Sequence, residues 1–184
     1  DQALRLLQEL EPGDRQLVQR VLEIITSGQE LDLQRFGAAS KEKIVALGTA
    51  DELDDYTYRV AGCVGEFWTR ICVAHLHPKP RSPLDELIGK GVRFGKGLQL
   101  VNILRDLPAD LRTGRCYIPE ERLVAVNLQP EDLLDTSNEQ QFRPAYNALI
   151  AEAEDHLRVA WSYVLDLPRK WVRVRLACAL PVLI

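Results

Sequence analysis

The stretch Gln99-Leu100-Val101-Asn102-Ile103-Leu104-Arg105-Asp106-Leu107-Pro108-Ala109-Asp110 decides how this chain reads. At about 100° per residue, Gln99, Asn102, Asp106 and Asp110 fall within roughly 80° of one helical face, while Leu100, Ile103, Leu104 and Leu107 cover the others. Asp106 and Asp110 are like charges one turn apart, which costs a helix about 0.2–0.5 kcal/mol unless something positive lies between them. Magnesium takes oxygen ligands and is typically held by one or two carboxylates together with substrate phosphates. A solvated acidic face and a cation site both satisfy the spacing. The amides of Gln99 and Asn102, aligned above the acids in so apolar a run, favour the cation site.

Pro108 lacks the amide proton that would reach the Leu104 carbonyl, so the spacing predicts a kink or loosening worth about 3 kcal/mol, which re-aims Asp110 relative to Asp106. Next comes Arg112-Thr113-Gly114-Arg115-Cys116-Tyr117-Ile118-Pro119, a glycine-containing turn with two cations and a phenol. Arginines there suit a bidentate clamp on phosphate oxygens, and equally suit an ordinary solvated loop. Upstream, Asp51-Glu52-Leu53-Asp54-Asp55 repeats the Asp-x-x-x-Asp spacing. It opens a helix, where acids cap free amides and meet the positive end of the macrodipole, so it reads as a helix start and not as a second metal motif.

Helical periodicity runs almost throughout. After the Pro12-Gly13 break, Leu17, Val21, Ile24 and Ile25 predict a helix from near Asp14 to near Gly28. A linker from Gly28 to Gly48 follows, in which Leu31, Leu33, Phe36 and Val45 dock. Further helices are expected from Asp51 to His75, from Pro83 to Leu107, from Pro119 to Val126 and from Glu139 to Leu165, with Pro168 ending the last. Ala61, Gly62 and Gly65 form a small-residue strip that implies a close packing or cavity need. No alternating stretch is long enough for a sheet. The expectation is an all-α fold, with helices around a central apolar cavity.

With 184 residues, 46% of them hydrophobic, the chain can bury a sizeable core and reads as one domain, 1–184. A net charge of -4 argues against general nucleic-acid binding. Cys63, Cys72, Cys116 and Cys178 lack paired metal spacing, so reduced thiols in a cytoplasmic protein are expected, without zinc. His75 and His77 read as surface residues at a helix end. The apolar Trp171–Ile184 stretch is broken by Arg173 and Arg175 and is too short to span a bilayer. A core helix with a basic rim is the preferred reading, and peripheral membrane contact through Arg169, Lys170, Arg173 and Arg175 is the alternative.

The Asp106/Asp110 helix resembles the second Asp-rich motif of the squalene/phytoene synthase family. Tyr56-Thr57-Tyr58-Arg59-Val60-Ala61-Gly62-Cys63-Val64-Gly65 is similar to that family's Tyr-Cys-x-x-Val-Ala-Gly-x-Val-Gly signature, with Thr57 where cysteine is usual, and Gly114-Arg115-Cys116-Tyr117-Ile118-Pro119 matches its Gly-Arg-x-Tyr-x-Pro. Glu66-Phe67-Trp68-Thr69-Arg70 leans toward the bacterial squalene synthase branch. The resemblance implies a helical isoprenoid-synthase-like fold, Mg2+ on Asp106 and Asp110, and Gln99 and Asn102 lining the same site. It implies that Tyr56 takes part in the chemistry, through its ring or its hydroxyl, and that Arg105, Arg115 and Tyr117 lie near the diphosphate. Arg105 sits about 100° off the acidic stripe, so its part is the least defined.

The reaction so implied joins two farnesyl diphosphates through presqualene diphosphate and reduces the product with NADPH to squalene. An unreduced dehydrosqualene or phytoene product, and a non-enzymatic assembly factor, are the alternatives. The family's first Asp-rich motif belongs to helices that would precede Asp1. The expectation is therefore an internal piece, incomplete at both ends and inactive alone.

Overall fold

Local propensity and burial together produce eight α-helices in a computed structural model that describes residues 2–183: α1 (Gln2–Glu9), α2 (Pro12–Arg35), α3 (Ala50–Thr57), α4 (Cys63–His75), α5 (Leu84–Arg112), α6 (Glu120–Val124), α7 (Glu139–Asp166) and α8 (Val172–Leu183). The fold is all-α, as expected. Ile184, the end of the expected last helix, lies outside the described residues.

The long helices α5 and α7 pack on each other and carry the core. Leu100, Ile103, Leu107 and Leu111 of α5 meet Leu149 and Ala153 of α7, and Phe36, Leu53, Ile118 and Leu123 close that cluster. Burying each such aliphatic side chain contributes about 1.5–3 kcal/mol. A second cluster forms at the other end of the pair, where Leu87, Tyr163, Val164 and Leu167 receive Trp171 and Cys178. Trp171 is thereby buried, which anchors the start of α8 in the core. Among the described residues no helix is long and apolar enough to cross a membrane.

Where α4 crosses α5 the contact is backbone on backbone. A Cβ added at Gly65 would overlap the Gly91 carbonyl oxygen, and one added at Gly95 would overlap that of Ala61. The small-residue strip is therefore a packing surface, sealed by Thr69, whose hydroxyl donates to the Gly65 carbonyl at 2.8 Å and lies 3.0 Å from the Tyr163 hydroxyl.

Four expectations need correction. The helix placed from Asp14 to Gly28 runs on to Arg35, because Gly28 is not a stop but a buried close-approach point against Arg59 and Val60. Within the supposed linker Phe36 is buried, as expected, yet Leu33 on the extended helix faces solvent. The Asp51–His75 helix is not uniform: Tyr58–Gly62 forms a π-helical turn between α3 and α4. Such turns occur mostly as single insertions in α-helices, often at functional sites, and the 3.6-residue period carries no sign of them. Two residues of parallel sheet also form, β1 (Val45–Ala46) with β2 (Arg115–Cys116), paired Val45 to Arg115 and Ala46 to Cys116.

The fourth correction concerns Pro108. Helix α5 does not end at Leu107 but continues through the proline to Arg112. Proline removes the donor for the Leu104 carbonyl, and the Tyr146 hydroxyl on α7 supplies one at 3.3 Å. Replacing Tyr146 by phenylalanine is expected to lower stability by about 1 kcal/mol, read by denaturant unfolding; no change would mean that water serves that carbonyl equally well.

The Asp51–Asp55 run does open a helix. Thr49 caps α3 by accepting from the Glu52 amide at 3.2 Å, and the Glu52 carboxylate accepts from the Gly48 amide at 2.6 Å. These two bonds satisfy the Glu52 amide of the first turn and the Gly48 amide just before the cap. His75 ends α4 with its ring 2.8 Å from the Asp14 carboxylate, and His77 is exposed. All four cysteines are free and buried.

Candidate active site

The C-terminal half of α5 presents the acidic stripe, and residues from α2, α3 and the β2 loop converge on it. The short β1–β2 pairing directs the loop: the Val45 amide donates to the Gly114 carbonyl at 2.8 Å and the Leu47 amide to Cys116 at 3.0 Å. Arg115 and Tyr117 are thereby brought to one carboxylate, Asp32 of α2. The Tyr117 hydroxyl donates to it at 2.9 Å and the Arg115 guanidinium at 3.2 Å. Tyr56 stacks on Tyr117, with ring centroids 4.8 Å apart and planes 26° from parallel, and Phe36 meets the Tyr117 edge at 5.0 Å.

Asp32 is a site residue that the sequence reading missed, because it fell in the supposed linker. The signal was present: Val21, Gly28 and Asp32 share one helical face, and Val21 and Gly28 are buried. An acid on the buried face of a helix needs partners, and Arg115 with Tyr117 supplies them.

Of the expected residues, Tyr56, Asp110, Arg115 and Tyr117 come together around Asp32 and influence one another electrostatically. Asp106 lies close enough to Asp110 to add to its charge burden. Arg105 turns to its neighbour, and its guanidinium forks onto both Asp106 oxygens at 2.8 Å. This bond holds the Asp106 carboxyl below the usual carboxylate range. Arg105 thus pairs with an acid of the stripe and does not share the Arg115 cluster. Gln99 and Asn102 line the adjoining groove.

Burial, then Asp106, then Asp32 raise the Asp110 carboxyl above the usual range, and Arg115 opposes them. With a folded-state value above the unfolded one, ionised Asp110 weakens the fold at neutral pH, and that penalty is relieved as pH falls through the raised value. Cation binding needs the ionised form. Affinity for Mg2+ is therefore expected to decline from a higher pH than an ordinary aspartate would set; calorimetric titration across acidic pH checks it, and a decline confined to the ordinary aspartate range would contradict it. The Tyr56 and Tyr117 hydroxyls are both raised, chiefly by burial, so they stay protonated, and Tyr117 donates to Asp32.

The fit to magnesium rests on the donor set. Among the described residues no group of three or more His, Cys, Asp and Glu side chains is disposed to hold a metal. What is present is a pair of carboxylates that repel each other, one half-buried and kept from ionising easily by burial and by its neighbour. Two carboxylates completed by water and phosphate oxygens are the usual protein share of a magnesium site, so the residues fit the ion.

Beside the stripe, between α4 and α5 and closed by α7 and α8, lies a groove of about 460 Å³. Its polar end carries Gln99 and Asn102; Val60, Val64 and Leu98 form the walls, and aromatic side chains stand at the far end. Apolar walls with a few polar groups at one end are what an amphiphilic ligand with a charged head requires.

An all-helical fold, with the acids one and two turns along α5 from the polar end of an apolar groove, fits the isoprenoid-synthase class. The chain belongs to the squalene/phytoene synthase family, whose pattern it matches over residues 1–184. A phytoene synthase from Thermus thermophilus is 35% identical over 117 residues, covering 64% of this chain and 36% of that protein. A 15-cis-phytoene synthase from Enterobacter agglomerans is 32% identical over 120 residues, covering 65% and 38%. Among solved structures, a squalene synthase from Alicyclobacillus acidocaldarius superposes with a TM-score of 0.72 at 18% identity, covering 89% of this chain and 55% of that one. A dehydrosqualene synthase bound to a ligand superposes with a TM-score of 0.64 at 21% identity, covering 82% and 47%. The chain spans somewhat over a third of the length of those two relatives and about half of the solved structures.

Proposed function

We propose that the protein of which this chain forms part condenses two allylic prenyl diphosphates head to head. The observation that carries the reading is the position of Asp106 and the half-buried Asp110 one and two turns along α5 from Asn102, at the polar end of an apolar groove.

In the first step the bond between the allylic carbon and the diphosphate oxygen breaks, the electron pair leaves with the diphosphate, and an allylic cation remains. Asp106 and Asp110 would hold a divalent cation, which would supply Lewis acidity toward the departing oxygens. Arg115 and Tyr117, donors that Asp32 gathers at this end, would bind the separated anion. The groove walls hold the prenyl tail and keep water from the cation. Tyr56, neutral and stacked on Tyr117, would offer its hydroxyl or the electron-rich face of its ring to the cation. Carbon–carbon bond formation with the second substrate's double bond and loss of a proton give a cyclopropyl diphosphate; departure of its remaining diphosphate, then loss of a proton or capture of a hydride from NADPH, gives the hydrocarbon.

The names of the curated relatives support an unreduced, phytoene-type product. The motif Glu66-Phe67-Trp68-Thr69-Arg70 supports the squalene branch, where NADPH supplies a hydride. Product analysis of the full-length protein decides between them: farnesyl or geranylgeranyl diphosphate is supplied with Mg2+, with and without NADPH, and the hydrocarbons are extracted. A head-to-head coupled product is expected. Hydrolysis to the prenyl alcohol alone, or no consumption, would overturn the reading, the latter being the result for an assembly factor.

A further inference from the structure

We infer that the end of the bundle remote from the α5 acids seats the phosphate headgroup of an anionic lipid in a basic cleft and rests its aliphatic rim on the membrane. The cleft is a cavity of about 680 Å³ between the loop that joins α4 to α5 and the segment that joins α7 to α8. Ser82 of its wall lies just before α5 begins at Leu84, and Asp106 stands 22 positions beyond Leu84, about 33 Å along a helix that rises about 1.5 Å per residue. The cleft is therefore separate from the acidic stripe.

Its charge runs against that of the chain. The net charge is -4, yet Lys79, Arg81, Arg169 and Lys170 line this one cavity against a single carboxylate, Asp166. That carboxylate is already held by Lys90 at 2.5 Å. Most basic side chains of the chain end on a carboxylate or a backbone carbonyl, as Arg59, Arg115 and Arg122 do. Arg81, Arg169 and Lys170 make no hydrogen bond, ion pair or ring contact among the described residues. Like charges gathered around one cavity repel, and an anion seated among them reverses that cost.

Both loops are tied at their bases. The Lys79 ammonium donates to the Val73 and Ala74 carbonyls at the end of α4. The Trp171 amide donates to the Pro168 carbonyl at 2.8 Å, closing a turn whose two central residues are Arg169 and Lys170, and the buried Trp171 ring anchors it. Arg175, which the sequence groups with these cations, instead donates to the Leu167 carbonyl at 3.0 Å; Lys79 and Arg81 take its place.

The rim commits the cleft to lipid. Leu165 on the cleft wall, with Val172 and Leu176 on the first two turns of α8, are 58%, 58% and 56% exposed. Val172 and Leu176 are one turn apart and share a face. Cations beside exposed aliphatic side chains match the two layers of a membrane surface, anionic headgroups above acyl chains, and basic pockets take phosphate headgroups. Exposed charges hold a lone phosphate in water only weakly, so retention needs the rim as well.

The test is co-sedimentation of the full-length protein with vesicles of phosphatidylcholine, with and without phosphatidylglycerol. Retention on the anionic vesicles alone is expected, weakening as salt screens the charges. Each basic residue near an anionic surface strengthens binding about fivefold, so Arg81→Gln, Arg169→Gln and Lys170→Gln together are expected to weaken it about a hundredfold. Lys41→Gln, Lys43→Gln and Arg143→Gln change the net charge equally at exposed positions outside the cleft, and are expected to weaken it less than tenfold. No retention on anionic vesicles, or equal losses from the two sets, would overturn the inference. Displacement by millimolar glycerol phosphate, the headgroup without its tails, would overturn the lipid assignment in favour of a soluble phosphate.

Discussion

Asp106→Ala in the full-length protein is expected to lower turnover of the prenyl diphosphate by about a thousandfold or more, with unchanged helical content and unfolding midpoint. The two halves of that expectation come from the same geometry. Asp106 is half-exposed and its side chain bonds only to Arg105, itself mostly in solvent, so deleting it removes no buried partner and costs the fold little. Its charge is nevertheless half of the only like-charged pair on the α5 stripe. Without it Asp110 loses the neighbour that raises its carboxyl, and a divalent cation loses one of two anchors. Near-normal turnover would remove Asp106 from the site.

The second large effect concerns packing. Gly65→Ala is expected to lower stability by about 3 kcal/mol, which in a domain of 150–250 residues is a melting midpoint roughly 6–12 °C lower. The added methyl meets the Gly91 carbonyl, which is backbone within α5 and cannot rotate aside. Gly89→Ala on the same helix is the control. A Cβ there meets nothing within 4 Å, so the ordinary helix preference for alanine applies and stability rises by about 0.5–1 kcal/mol. Equal small effects from both substitutions would contradict backbone contact between α4 and α5. Because those helices form the groove, Gly65→Ala is also expected to weaken prenyl analogue binding even where the protein still folds.

The legibility of this chain follows the range of the forces involved. The acidic stripe of α5 was readable because a helix places residues three and four apart on one face with no help from elsewhere. The start of α3 was readable for a similar reason, since capping is settled within one turn. Gly28 misled because its backbone freedom resembles a stop signal until the helix packed against it is known, and that error hid Asp32. Pro108 misled in the opposite direction. Its disruption is offset by Tyr146, a residue far away in sequence, and no local pattern announces such a partner. The β1–β2 pairing is likewise invisible, as two residues have no period. What joins these misses is that each non-local contact serves the site: the Asp32 cluster, the continuation of α5 to Asp110, and the aim of Arg115 and Tyr117.

Binding of inorganic diphosphate to the full-length protein, titrated with and without Mg2+, tests the central assignment most directly, because it needs neither tail nor turnover. Saturable binding that appears only with the cation and disappears in Asp110→Asn is the predicted result. Binding indifferent to the cation, or retained at full strength after that substitution, would contradict it.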